Sequence, residues 1–202
     1  MDLIIDTVKK LESMMKDSGC ADSGVVLDVS RSTANCQFER GVCMTATFGG
    51  RSADFITFDP VRATTKISFM FGSALDTLPV RGAAVAIVNV AAGFFCLSRI
   101  LHSCPESSHA ECSRQLAHEL VGKKIFCTDN IPALEMALRN TMVKDPHDAD
   151  VIIINGEGII EKSSSEIYQT YKETKRILCL GPSTAGIARL NQLELWCPFG
   201  TC

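Results

Sequence analysis

The sequence predicts an α/β protein built in two parts. An N-terminal α+β unit with a small mixed sheet comes first, followed by a small Rossmann-like parallel sheet covered by helices. Three observations carry this. The first half strings β-like segments, bounded by Gly, Asn, Asp or Pro, ahead of an Ala-rich helix. The second half alternates strand and helix patterns. Its strand segments, Val151-Ile-Ile-Ile154 above all, are continuous apolar runs, as in strands buried on both faces.

In chain order, Ile4, Val8, Leu11 and Met15 recur at helical spacing and predict a helix from Asp2 to Lys16. Strand segments follow at Gly24 to Ser30, Val42 to Phe48 and Lys66 to Phe71, with a short piece at Phe55 to Phe58. The Ala-rich helix runs from about Gly82 to His102. Pro105 with Glu106-Ser-Ser108 reads as a hinge, dividing the chain into 1–104 and 105–202. Beyond it come a helix from Ser108 to Val121, ended by Gly122, and a strand from Lys124 to Cys127. A helix from Pro132 to Met142, a strand from Asp150 to Asn155 and a helix from Ser163 to Thr174 continue the alternation. A strand from Arg176 to Leu180, a short helix after Pro182 and an edge segment from Leu193 to Trp196 complete it.

Composition narrows the function classes. Of 202 residues, 46% are hydrophobic and 21% charged, which is a globular balance. Lys and Arg number 20 against 23 Asp and Glu, so no basic face for nucleic acid is expected. The N-terminus lacks the basic start and unbroken apolar stretch of a signal peptide. The uncharged run between Arg81 and Arg99 holds Asn89 and two glycines. It reads as a buried helix, not as the roughly 20 apolar residues of a membrane span, so no membrane insertion is expected. Ten cysteines without a secretory signal point to reduced thiols and a cytoplasmic location. None stands in Cys-x-x-Cys spacing, and Cys96, Cys127 and Cys179 have apolar neighbours, as buried thiols do.

In an open parallel sheet, ligands bind beyond the carboxyl ends of the strands. Two glycine loops fall there: Asn155-Gly156-Glu157-Gly158 and Gly181-Pro182-Ser183-Thr184-Ala185-Gly186. Glycine lets a backbone approach a ligand, and free amides at a helix start favour an anion. The first loop has Glu161 where a dinucleotide fingerprint needs its third glycine, and the second lacks the Lys-Ser/Thr of a triphosphate loop. The plainer alternative is a pair of turns, with Ser183 or Thr184 capping the second helix. Glu157 could act as a general acid or base, bind a ribose hydroxyl, or simply be an exposed turn carboxylate.

A separate metal candidate sits at the hinge. His102, Cys104, His109 and Cys112 fall within eleven positions, and His109 and Cys112 would share a helix face. Together they could offer a tetrahedral N/S set to Zn or another transition metal such as Ni, Co or Fe. The plainer alternative is a capping box of Ser107 or Ser108 with Glu111. Cys197 and Cys202 form a second thiol pair near the C-terminus.

Ala149-Asp-Val-Ile-Ile-Ile-Asn-Gly156, followed by Ile177-Leu-Cys-Leu-Gly-Pro-Ser-Thr184, resembles the C-terminal Rossmann-like domain of a prokaryotic family described as heavy-metal chelation proteins, of unproven activity. Gly122-Lys-Lys-Ile-Phe126 resembles the strand that opens that domain, and Arg81 to Asn89 a small-residue helix of the family's enolase-N-terminal-like first domain. The family usually has Thr-Gly where this chain has Asn155-Gly156. The resemblance implies a site between the domains, near Asn89, Asn155, Gly156, Gly181, Ser183 and Thr184. It further implies a binding or chelation protein handling a heavy metal, a metal chelate or a related small molecule. The alternative is an enzyme holding a nucleotide or S-adenosylmethionine-type ligand at the Rossmann-like strand ends. A structural subunit of a homo-oligomer is a third, plainer reading.

Overall fold

Asp2 opens the first helix by capping it, its carboxylate accepting from the Ile4 and Ile5 amides at 2.9 and 3.2 Å. The structure, a computed structural model, describes residues 2–30 and 35–202. Helix α1 (Leu3–Met15) buries Ile4, Val8, Leu11 and Met15, the stripe its spacing predicts. Strands β1 (Gly24–Ser30), β2 (Val42–Phe48), β3 (Arg51–Thr57) and β4 (Ala63–Lys66) form one sheet in the order β3-β2-β1-β4. All three pairings are antiparallel, the first of the two arrangements, antiparallel or mixed, that the sequence allows.

Three elements of this half differ from expectation. β3 starts at Arg51, well before Phe55, because Gly49-Gly50 makes a tight hairpin turn. Both glycines have positive φ, +55° and +76°, as a two-residue turn with the strand's own twist requires. The strand expected over Lys66 to Phe71 ends at Lys66; Ile67–Met70 is a 3₁₀ turn that buries Ile67 and Met70 three positions apart. Helix α2 (Leu78–Phe94) starts earlier than predicted, with Pro79 in its first turn. It stops at Phe94, just before Cys96 takes a left-handed conformation. Every residue from Arg81 to Gly93 is buried, because α2 lies between the first sheet and the second half.

The second half holds α3 (His109–Glu119), β5 (Ile125–Cys127), α4 (Pro132–Leu138), β6 (Val151–Ile154), α5 (Gly156–Ile160), α6 (Lys162–Tyr171), β7 (Arg176–Leu180), α7 (Ala185–Asn191) and β8 (Glu194–Trp196). Its sheet is parallel throughout, in the order β5-β6-β7-β8. α4 ends short of Met142 because Thr141–Val143 runs as an extra rung on the outer edge of β5. The Ile125 amide donates to the Thr141 carbonyl and the Val143 amide to the Ile125 carbonyl, both at 2.8 Å. The chain thus steps outward from β5 to this rung, then returns to place β6 on β5's other side.

The helices obey that reversal. α3 and α4 bury Leu116 and Leu134 against Ile125, Val151, Ile153, Leu178 and Leu180 on one face. Tyr168 of α6 and Ile187 of α7 share the core of the other face with Ile152, Ile154 and Ile177. Right-handed crossovers running in opposite directions give this arrangement. The sheet's switch point therefore lies between β5 and β6. The two sheets fall on either side of 104/105, but one hydrophobic core, running from Leu3 to Ile187, crosses that boundary. Among the described residues, no helix is long and apolar enough to cross a membrane.

Candidate functional site

The loops after β6 and β7 do sit side by side, since Ile154 pairs with Cys179. The space between them is filled from within. Phe38 and Glu39 of the first half lie over both loops, and the Glu39 carboxyl occupies the position expected for an anion. Its Oε1 accepts from the Ser183 amide at 3.0 Å and from the Ser183 hydroxyl. Ser183 Oγ in turn accepts from the Ile56 amide at 2.9 Å. A Cβ on Gly181 (φ +85°) would lie 2.6 Å from Glu39 Oε1, and one on Gly156 would lie 2.6 Å from Ser183 Cβ. The glycines therefore admit the chain's own side chains. Burial pushes the Glu39 pKa up to about 8, against the pull of the two Ser183 hydrogen bonds and with added repulsion from Asp54.

The other residues expected to line an open mouth are internal as well. Asn89 ties α2 to this junction, donating from Nδ2 to the Ser183 carbonyl and accepting at Oδ1 from the Gly186 amide, each at 2.8 Å. Thr184 Oγ1 donates to the Gly181 carbonyl at 3.0 Å, and Pro182 is buried beside it. Asn155 Oδ1 caps α5 through the Gly158 amide at 2.9 Å. Gly158 is itself pressed against Thr128. These side chains hold the two halves together.

The hinge set is not gathered around a common point. Among the described residues, no three or more His, Cys, Asp or Glu side chains are arranged to hold a metal ion. His102 turns to Asp54, with Nδ1 and Oδ2 2.9 Å apart. Cys104 and Cys112 are buried, and burial pushes both thiols up in pKa. The Ser108 side chain makes no cap, because Ser108 keeps helical backbone angles after the 3₁₀ turn Glu106–Ser108; Glu111 is engaged by Arg114 at 2.6 Å, and His109 begins α3.

A polar crevice lies at the switch point, with Asn155 and Glu157 buried at its inner end and Asp129 at its open end. Asn155 Nδ2 donates to Asp129 Oδ2 at 3.2 Å, linking the carboxyl ends of β5 and β6. Beside them, Glu157 Oε2 accepts from the Phe58 amide at 3.3 Å, and the Thr57 hydroxyl also bonds this carboxylate. Burial raises the Glu157 pKa, those two bonds lower it, and Asp129 and Asp59 raise it further. Arg40 closes the rim, bonding to the Asn130 carbonyl at 3.2 Å with its guanidinium 5.4 Å over the Phe58 ring centre. From Thr128 and Asp129 the crevice opens into a groove of about 800 Å³ that also meets Glu135, Arg139, Val143 and Lys144. Sequence reasoning reached Asn155 and Glu157 and missed Asp129 and Thr128. Applied to the first strand of the second half, the strand-end rule would have found both.

This geometry defines a class: an α/β protein with a Rossmann-like sheet, an antiparallel partner sheet and a switch-point crevice. No family model matches the chain, and no curated protein matches it. Among solved structures, it is similar to a DUF364-family protein of unknown function from Desulfitobacterium hafniense, at TM-score 0.50 and 12% identity, covering 92% of this chain and 82% of that one. A second DUF364-family protein of unknown function, from Pyrococcus horikoshii, aligns at TM-score 0.44 and 14% identity over 90% of this chain and 79% of that one. The Desulfitobacterium likeness is one of fold.

Proposed function

We propose that this protein binds a metal chelate in the switch-point crevice and its adjoining groove. One observation carries the reading: the Asp129 carboxylate, bonded to Asn155 and beside Glu157, faces a groove that holds charges of both signs. A cationic, metal-bearing centre suits the Asp129 end. Carboxylate arms of the chelator suit Arg139 and Lys144, since guanidinium and ammonium groups pair well with carboxylates. The chelator supplies the remaining coordination, so no full set of protein ligands is needed. A nucleoside triphosphate fits less well, because Glu39 already takes the amide of the second glycine loop.

The test is calorimetric titration with Fe(III)–citrate and Ni(II)–citrate, alongside free Ni²⁺, citrate, ATP and S-adenosylmethionine. We expect a metal–citrate complex to bind, and Asp129→Asn to weaken it at least 10-fold, about 1.4 kcal/mol. Binding of S-adenosylmethionine or ATP instead, equal binding by the variant, or no binding of either citrate complex would overturn the reading.

A further inference from the structure

A second cluster lies on the first sheet, away from the crevice. Ser52 and Asp54 stand two residues apart on β3 and so share a face, the one opposite the buried Ala53 and Phe55. His102 reaches them from the segment after α2, and backbone bonds fix it there on both sides. The Asp54 amide donates to the Leu101 carbonyl at 2.8 Å, and the Thr201 amide donates to the His102 carbonyl at 3.1 Å. The three side chains then form one chain of contacts: Asp54 Oδ2 to His102 Nδ1 at 2.9 Å, and His102 Nε2 to Ser52 Oγ at 3.3 Å. Thr45 Oγ1 donates to the other Asp54 oxygen at 2.8 Å and locks the carboxylate.

The order of atoms decides the roles. An ionised carboxylate only accepts, so Nδ1 carries a proton, and in the neutral imidazole the Nε2 lone pair faces the Ser52 hydroxyl. A hydroxyl held on an imidazole that is itself oriented by a carboxylate is the arrangement of an activated nucleophile. We propose that Ser52, His102 and Asp54 form a nucleophilic triad that cleaves small activated acyl esters.

In the first step Ser52 Oγ attacks the ester carbonyl carbon while its proton passes to His102 Nε2. The bond from that carbon to the leaving oxygen breaks, His102 protonates the departing alkoxide, and an acyl-Ser52 ester remains. Water then attacks the acyl carbon, again giving its proton to His102. Ser52 leaves as the alkoxide, takes that proton back, and the carboxylic acid is released. Thr47 is register-opposite Ser52 and exposed on the same face, so it is the neighbouring hydroxyl that would donate to the tetrahedral oxyanion.

A fluorophosphonate reagent and p-nitrophenyl acetate test this on the whole chain. We expect peptide mass spectrometry to place the phosphonyl adduct on Ser52, and Ser52→Ala, which leaves the β3 backbone pairing intact, to abolish it. His102→Asn, which can still bond Asp54, should slow labelling and ester turnover by about 100-fold with an unchanged circular dichroism spectrum. No adduct on Ser52 of the unaltered protein, equal labelling of His102→Asn, or full ester turnover by Ser52→Ala would each overturn the proposal.

Discussion

Glu39 is a carboxyl enclosed by its own protein, and its chemistry follows from that enclosure. Oε2 has no hydrogen-bond partner among the described residues, and burial raises the pKa to about 8. An unfolded glutamate titrates near 4.5, so the folded state holds this proton more tightly than the unfolded state does. The contribution to stability is therefore full below pH 4.5 and is lost as pH rises towards and through about 8. Glu39→Gln keeps the shape and removes the titration. Urea denaturation at pH 5 and pH 8 should show the unaltered protein losing more stability over that interval than Glu39→Gln; parallel losses would refute the assignment. None of this was legible in the sequence. A single Glu between Phe38 and Arg40 carries no signal, because its burial is decided by loops more than a hundred residues further along the chain.

At the scale of elements, legibility tracked pattern length. Val151–Ile154 and Arg176–Leu180 announced a parallel sheet because runs of apolar side chains suit only strands covered on both faces. The rung at Thr141–Val143 is too short to carry any periodicity, and without it the switch point between β5 and β6 does not exist. The strand-end rule pointed to both glycine loops, but not to the filling of the second from the other half. The contacts that orient helices were equally hidden. Arg81 of α2 is 1% exposed and pairs with Asp2 at 2.8 Å, and its Nε donates to the Ile160 carbonyl at the end of α5. Asp2→Ala removes the α1 cap and leaves that guanidinium buried without its counter-charge, a loss of ~3–5 kcal/mol. Adding Arg81→Met should recover much of it, because no buried charge then remains. A double variant as unstable as the single one in guanidinium denaturation would show that the pair does not govern this junction.

At the scale of the whole molecule, the arrangement of the core decides how the protein comes apart. α2 is buried on all sides, with β2 and β3 on one flank and α7 on another, and its Asn89 is bonded to the loop after β7. The same core holds Leu27 and Phe55 of the first sheet with Ile152 and Ile154 of the second. Opening either half alone would expose the apolar surface of α2 to water, at about 25 cal/mol per Å². Separate unfolding of the halves is therefore costly, and the two sheets should melt together. Trp196, the sole tryptophan, reports on β8, while hydrogen exchange reports on β2 and β6 separately. In graded urea, Trp196 fluorescence and circular dichroism should give one coincident transition, with β2 and β6 amides sharing the same opening free energy. Loss of protection in β6 at lower urea than in β2, or a fluorescence midpoint displaced from the dichroism midpoint, would mean that the shared core does not couple the halves. The crevice would then sit on a unit able to open by itself, and ligand binding would stabilise the second sheet without the first.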